Sequence, residues 1–307
     1  MIASSIGQPH VSGEVQHPQL IWNGFPIRYH TQGTEGPAIV LVHGFGASWG
    51  HWRKNIPVLA KIGRVYAIDL IGFGQSAKPP VGPLQHGQSI EYTFETWGQQ
   101  IADFCREVIG GPAVLVGNSI GCIAVMQTAV DHPDVVTKLA LLNCSLRLLH
   151  DRHRMQQPWY KRMGAPLLQQ VLKQKWIGQQ FFRQVARPDT VRKILLKAYA
   201  RSEAVTDELV DLLLSAAQDE GAADVFLAFT GYSQGPLPED LLAVLPCPAI
   251  LLWGAADPWE PIALGRELAN FPQVKQFIPL EGVGHCPQDE APELVNPILQ
   301  NWILQGE

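Results

Sequence analysis

A chain of 307 residues can bury a large core, and 46% apolar beside 17% charged residues excludes a disordered polymer. The formal net charge of −5 offers no global attraction to nucleic acid, so no nucleic-acid partner is expected. Five scattered cysteines with no CxxC pair exclude a disulfide framework and point to a reducing, cytoplasmic compartment.

The opening stretch, MIASSIGQPHVSGEVQHPQ, has no basic segment leading into an apolar core, so no secretory signal is expected. No run reaches the roughly 18 continuous apolar residues of a membrane span. LIWNGFPIRYHTQG sets Asn23-Gly24 between two strand-like runs, a hairpin pattern. PAIVLVHGFG reads as a buried strand ending in a glycine loop, WGHWRKNIPVLAK as a helix and RVYAIDL as the next strand. ETWGQQIADFCREVI has helical spacing, AVLVGNS is a strand, IGCIAVMQTAVDHP is a helix stopped by Pro133, and VTKLALLN is a strand again.

Residues 146–235 break this rhythm with helical patterns only, such as TVRKILLKAYA and TDELVDLLLSAA. After residue 235 strands and helices alternate again: PAILLWG, IALGRELANF, VKQFIPL and PELVNPILQNWIL. Continuous apolar strands separated by helices predict an α/β fold, a mostly parallel sheet covered on both faces. Residues 1–145 and 236–307 form that core, and 146–235 form a helical cap inserted into it. Between Arg147 and Arg201 there are thirteen Lys or Arg and two acids, Asp151 and Asp189. Two readings stay open: a solvated face of the cap, or a surface drawn to anionic lipid headgroups at about 1 kcal/mol per basic residue.

Ser119 stands at a strand-to-helix junction within Gly117-Asn118-Ser119-Ile120-Gly121. The pattern Gly-x-Ser-x-Gly in that setting is a nucleophile elbow, with both glycines clearing room for the neighbouring strand and helix. A serine hydroxyl needs a base, usually histidine held by a carboxylate. Asp257, just past the strand AILLWG, and His285, in the loop after the last strand, follow Ser119 in the required order. For Asp257 a second reading is open, a turn-capping carboxylate ahead of Pro258. The backbone N–H groups of Ile120 and Phe45 are the expected oxyanion donors. Losing one such donor costs roughly 3 to 4 kcal/mol of transition-state stabilisation.

His43 is expected to be a hydrogen-bonded structural histidine, and Asp69 part of the loop architecture. Cys122 and Cys286 read as packing residues. The segment GFGQSA lacks the lysine and spacing of a phosphate loop, and the histidines form no metal-ligand cluster, so neither cofactor nor metal is expected.

The segments LVHGFGASWGHWRKNIPVLA, VYAIDLIGFGQSAKP, LVGNSIG, WGAADPWEP and GVGHCPQDEAPELVNP resemble the signatures of the α/β-hydrolase fold family over about residues 20–304. They are most similar to its pheophytinase and chlorophyll dephytylase branch, which cleaves the phytyl ester of chlorophyll-type pigments. The resemblance implies a triad on Ser119, Asp257 and His285 and a small-molecule hydrophobic ester as substrate. With the lipid reading of the basic stretch, it also implies peripheral contact with a thylakoid-type membrane.

Trp159, Trp176, Phe181, Phe182, Phe226, Phe229 and Tyr232 are candidates to line an apolar pocket, or to pack the cap on the core. Sister chemistries that place an aspartate at the elbow, dehalogenation and epoxide opening, are disfavoured by Ser119. Carbon–carbon bond hydrolysis, perhydrolysis and a ligand-sensing receptor role remain as alternatives.

Overall fold

The computed structural model describes residues 18–155 and 174–305. Strands β1 (Gln19–Trp22) and β2 (Phe25–Gln32) form the hairpin, with positive φ at Asn23 and Gly24 as a tight two-residue turn requires. β3 (Ala38–Val42), β4 (Arg64–Ile68), β5 (Ala113–Asn118), β6 (Val136–Leu142), β7 (Ala249–Gly254) and β8 (Val274–Leu280) complete one sheet of order β1-β2-β4-β3-β5-β6-β7-β8. The β1–β2 and β2–β4 pairs are antiparallel and every other pair is parallel.

Helix α1 (Phe94–Phe104) precedes β5, α2 (Ile120–Asp131) follows it, and β6 comes next. Then come α3 (Lys175–Val185), α4 (Pro188–Ala198), α5 (Asp207–Ala217) and α6 (Ala222–Thr230); α7 (Pro292–Leu304) closes the chain.

Side chains alternate across the central strands and build two cores. Val40, Val42 and Leu115 meet Trp97 and Phe104 of α1 on one face. Ile39, Leu41, Val114 and Val116 meet Trp52, Leu299 and Trp302 on the other. Burial on both faces explains why β3, β5 and β7 read as unbroken apolar runs.

Two predicted helices are broken. Residues 49–61 form a 3₁₀ turn, Trp49–Trp52, and a short helix, Ile56–Leu59, rather than one helix. Pro57, which lacks the N–H that a continuous helix would donate to the Arg53 carbonyl, sits in the first turn of the second piece. Residues 262–271 likewise divide into Ile262–Gly265 and a 3₁₀ stretch, Arg266–Asn270.

Between β6 and β7 the described residues contain helices and no strand. Leu195, Tyr199, Leu209 and Leu214 form a small core of their own there, joined by Cys286 from the loop after β8. The basic stretch is partly neutralised from outside it. Arg152 pairs with Asp240, Arg192 with Asp207, and Arg201 with Glu293 at 2.6 Å. Arg147 turns inward, its guanidinium 4.8 Å and 5.0 Å from the rings of Phe94 and Tyr232, and donates to the carbonyls of Pro236, Tyr232 and Gln234. Trp159, Lys161, Arg162 and Lys173 lie outside the described residues. Among the described residues no helix is long and apolar enough to cross a membrane.

Candidate active site

Ser119 sits between the end of β5 and the first residue of α2, with φ 55° and ψ −119°. A non-glycine residue at positive φ costs of order 1–3 kcal/mol and persists only where its surroundings fix it. Here the fixing is explicit. The Ser119 N–H donates to Leu142 at 3.0 Å, and its carbonyl accepts from Cys122 at 3.1 Å and Ser145 at 3.2 Å.

The flanking glycines are required by close approach of backbone. A Cβ on Gly117 would lie 2.6 Å from the backbone of Gly121, and one on Gly121 would lie 2.6 Å from the carbonyls of Val42 and His43. Gly121→Ala is therefore expected to destabilise the fold by about 1–3 kcal/mol, as overpacking against rigid backbone does. The check is a lower thermal midpoint by circular dichroism.

His285 lies in the loop after β8, tied down by its own N–H to Ala198 at 2.9 Å and by the Asn118 amide to its carbonyl at 3.2 Å. Its Nδ1 is 2.7 Å from Asp257 Oδ2 and its Nε2 is 3.0 Å from Ser119 Oγ. A carboxylate only accepts, so Nδ1 carries the proton. Nε2 then presents its lone pair to the serine hydroxyl. Ser119, Asp257 and His285 are thus brought together, each at least nine-tenths buried.

Asp257 accepts four hydrogen bonds. Oδ2 takes His285 and the Asn143 amide, both at 2.7 Å, and Oδ1 takes the N–H groups of Trp259 at 2.8 Å and Glu260 at 3.1 Å. Both sequence readings of this residue are therefore realised at once, the partner of histidine and the turn-capping carboxylate. Burial pushes its carboxyl up, but His285, Asn143 and the Trp259 N–H outweigh burial and hold it below its ordinary value.

Gly44 places the HGFG loop against the serine, since a Cβ there would meet Ser119 Cβ at 3.2 Å. Among the described residues neither the Phe45 N–H nor the Ile120 N–H has a hydrogen-bond partner. His43 is fully buried, its Nδ1–H donating to Gly44 at 2.8 Å and its Nε2 accepting from Leu70 at 3.1 Å. Burial lowers its pKa to about 4, so it is neutral and structural. Asp69 holds its loop, taking Trp49 and Gln75 N–H. All five cysteines are buried and free. Among the described residues no group of three or more His, Cys, Asp or Glu is placed to hold a metal ion.

A cavity of about 360 Å³ opens onto Ser119 and His285, walled by Phe182, Val191, Ile194, Leu213 and Phe226. A second of about 360 Å³ is lined by Ile120, Arg147, Phe229 and Tyr232; the two share Phe45, Trp259 and Glu260. Phe45 stacks on Phe229 at 4.9 Å, so the glycine loop and α6 are in ring contact. Trp176 and Phe181, by contrast, are exposed.

Two residues escape a sequence reading. Asn143, at positive φ just past β6, donates to Asp257 and to Gly284 and accepts the Gly254 N–H at 2.9 Å. Glu260 is buried, accepts the Leu146 N–H at 3.0 Å, and is pushed by burial up to about 7. The only local signal for Asn143 is a polar residue ending an apolar strand. Glu260 lies three residues beyond Asp257 and carries none.

The chain is a member of the alpha/beta hydrolase family, whose model matches residues 39–298. It is 25% identical over 330 residues to the chloroplastic pheophytinase of Arabidopsis thaliana, covering 97% of this chain and 68% of that protein. It is 27% identical over 283 residues to the uncharacterized hydrolase YugF of Bacillus subtilis (strain 168), covering 92% and 95%. In structure it is similar to a serine hydrolase involved in carbazole degradation, with TM-score 0.73 and 20% identity, covering 94% of this chain and 98% of that one.

Proposed function

We propose that the protein is a serine hydrolase that cleaves a carboxylic ester through an acyl-enzyme. The observation that carries this reading is a single imidazole bridging Ser119 Oγ at 3.0 Å and Asp257 at 2.7 Å on the wall of an apolar cavity. Ser119 attacks the ester carbonyl while His285 Nε2 takes its proton, and Asp257 stabilises the imidazolium. The unpaired N–H groups of Phe45 and Ile120, the latter at the N-terminus of α2, receive the developing oxyanion. His285 then protonates the departing alkoxide. Water activated by the same imidazole releases the acid and restores the serine.

The described residues of the 146–235 stretch, Phe182, Leu213, Phe226 and Phe229 among them, wall the two cavities, and this stretch acts as the cap that selects the substrate. An apolar cavity at the serine and a second one adjoining it across Phe45, Trp259 and Glu260 suit an ester with two bulky arms. With the likeness to pheophytinase, this makes a phytyl ester of a chlorophyll-type pigment the first substrate to test. The cap sequence that carries the basic residues also exposes Trp176 and Phe181, and through this stretch the protein would approach the lipid surface holding such a pigment.

The decisive experiment incubates the purified protein with pheophytin and with chlorophyll, beside a short acyl ester and a vinylogous diketone, and measures free phytol. Phytol release that disappears in Ser119→Ala supports the phytyl ester. Cleavage of the short ester alone keeps the esterase and removes the pigment. Faster cleavage of the diketone assigns carbon–carbon hydrolysis instead.

Asn143 is a positioning residue in this scheme, because it holds Asp257 without touching the reacting atoms. Asn143→Ala removes one bond to a charged acceptor, worth about 1.5–3 kcal/mol. A fall in kcat of roughly 10- to 100-fold is expected, with KM little changed, measured by steady-state kinetics on the best ester.

A further inference from the structure

The loop that carries His285 is held by two sets of partners. Its carbonyls are held from the strand ends, with the Asn143 amide donating to Gly284 at 3.3 Å and the Asn118 amide to His285 at 3.2 Å. Its N–H groups are held by other elements. The Gly284 N–H donates to Glu290 Oε2 at 2.8 Å, and the His285 N–H donates at 2.9 Å to the carbonyl of Ala198, the last residue of α4.

Glu290 closes the one-turn helix that follows the histidine, Pro287–Glu290, and is 5% exposed. Its other oxygen, Oε1, accepts the Arg201 N–H at 2.8 Å. One carboxylate therefore joins the backbone just before the catalytic histidine to the backbone just after α4. The two segments also touch directly. A Cβ on Gly284 would lie 2.2 Å from the Ala198 carbonyl oxygen and 2.9 Å from the Ala200 nitrogen.

The neighbouring acid does the same for the neighbouring residue of the cap stretch. The Tyr199 hydroxyl lies 2.9 Å from Asp289 Oδ2 and 2.9 Å from His51 Nε2, and Asp289 is ion-paired with Arg53 at 2.7 Å and Lys54 at 3.1 Å. A carboxylate is a rigid fork, and stranding either of its N–H partners in a buried site is costly, so the segments it joins move together.

We propose that Glu290 is a positioning residue that couples His285 to the cap, so that the imidazole is held in line with Ser119 only while Ala198–Arg201 is seated on the histidine loop. Displacing that segment carries the base off the serine. The role in catalysis rests on the hydrolase reading; the coupling itself is measurable without substrate.

Glu290→Gln keeps the size and one acceptor, and whichever way its amide turns, one of the two N–H groups meets an NH₂. Its kcat on the best ester is expected to fall about 10-fold, and that of Glu290→Ala about 100-fold, the scale of an ångström of misplacement, with KM little changed. Val65→Ala loosens the core from β4 and should keep the wild-type kcat while folded, which separates positioning from general destabilisation. Should Glu290→Ala fail to fold, Glu290→Gln carries the test.

Two readouts need no turnover. The His285 Nδ1–H, donated to Asp257 at 2.7 Å, gives a downfield proton resonance, identified by its absence in His285→Ala. That resonance should shift or broaden in Glu290→Gln. Amide hydrogen exchange should show the Gly284, His285 and Arg201 N–H groups opening together in the wild type and faster as a set in Glu290→Gln, with the amides of β5 unmoved. Absence of esterase turnover would count against the hydrolase reading, and these two measurements would still decide the coupling. An unchanged kcat in folded Glu290→Gln, an unmoved Nδ1–H resonance, or an Arg201 N–H that exchanges independently of Gly284 and His285 would overturn the proposal.

Discussion

Replacing Ser119 by alanine is expected to lower kcat for p-nitrophenyl ester hydrolysis by on the order of 10⁵- to 10⁶-fold, the loss seen when a serine nucleophile is removed from a triad. The fold should survive. The bonds that hold residue 119 at φ 55° run through its N–H and carbonyl, to Leu142, Cys122 and Ser145, and none needs the hydroxyl. Alanine meets the same left-handed strain as serine, so the thermal midpoint should move little. Steady-state rates and a melting curve on the same preparation check both halves. Turnover at the wild-type rate would remove Ser119 from the mechanism.

Asp257→Asn should cost about 10⁴-fold in kcat, and here the reason is donor arithmetic. The carboxylate receives two donors on each oxygen. An amide has one accepting end. If its oxygen faces His285 and Asn143, its NH₂ meets the N–H groups of Trp259 and Glu260. If it is flipped, NH₂ meets His285 Nδ1–H, and the imidazole must change tautomer, losing the lone pair that faces Ser119. Either way buried donors oppose one another, so stability should fall by roughly 2 kcal/mol as well.

The acid limb of the stability curve carries the same signature. Because the folded Asp257 carboxyl lies below its ordinary value of 3.8, its contribution is full above that pH and is lost as pH falls below it. In Asp257→Asn that part of the acid dependence should vanish, which urea titrations from about pH 2 to 5 would measure.

Much of this was legible in the sequence, for definite physical reasons. Strands buried on both faces must be continuous apolar runs, so β3, β5 and β7 stand out. The elbow needs glycine at 117 and 121 because backbone passes at 2.6 Å, and that need leaves a local pattern. Asp257 and His285 are found by order alone, since each sits on a loop after a later strand.

What stays hidden is whatever depends on distant partners. Asn143 matters because Asp257 lies 2.7 Å away, 114 positions on. His51, Tyr199 and Asp289 form a chain across 238 positions, and none sits in a motif that announces the others. Residues 49–61 read as one helix because an apolar period survives across two short turns, and period alone does not register the break ahead of Pro57.

The long excursion between β6 and β7 is drawn together near its base, where Arg147 donates to the Pro236 carbonyl at 2.7 Å and the Asp151 N–H to Ser233 at 3.0 Å. It therefore behaves as a cassette: its two arms are tied to each other there, and each doubling of its length adds only about 0.6 kcal/mol of closure entropy. A foreign segment grafted downstream of Leu146 would keep the Asn143 bond to Asp257 and the Leu146 bond to Glu260. It would have to return backbone to the place of Ala198–Arg201, against Gly284 and Glu290. Such a chimera should hydrolyse the donor's esters with the host's chemistry.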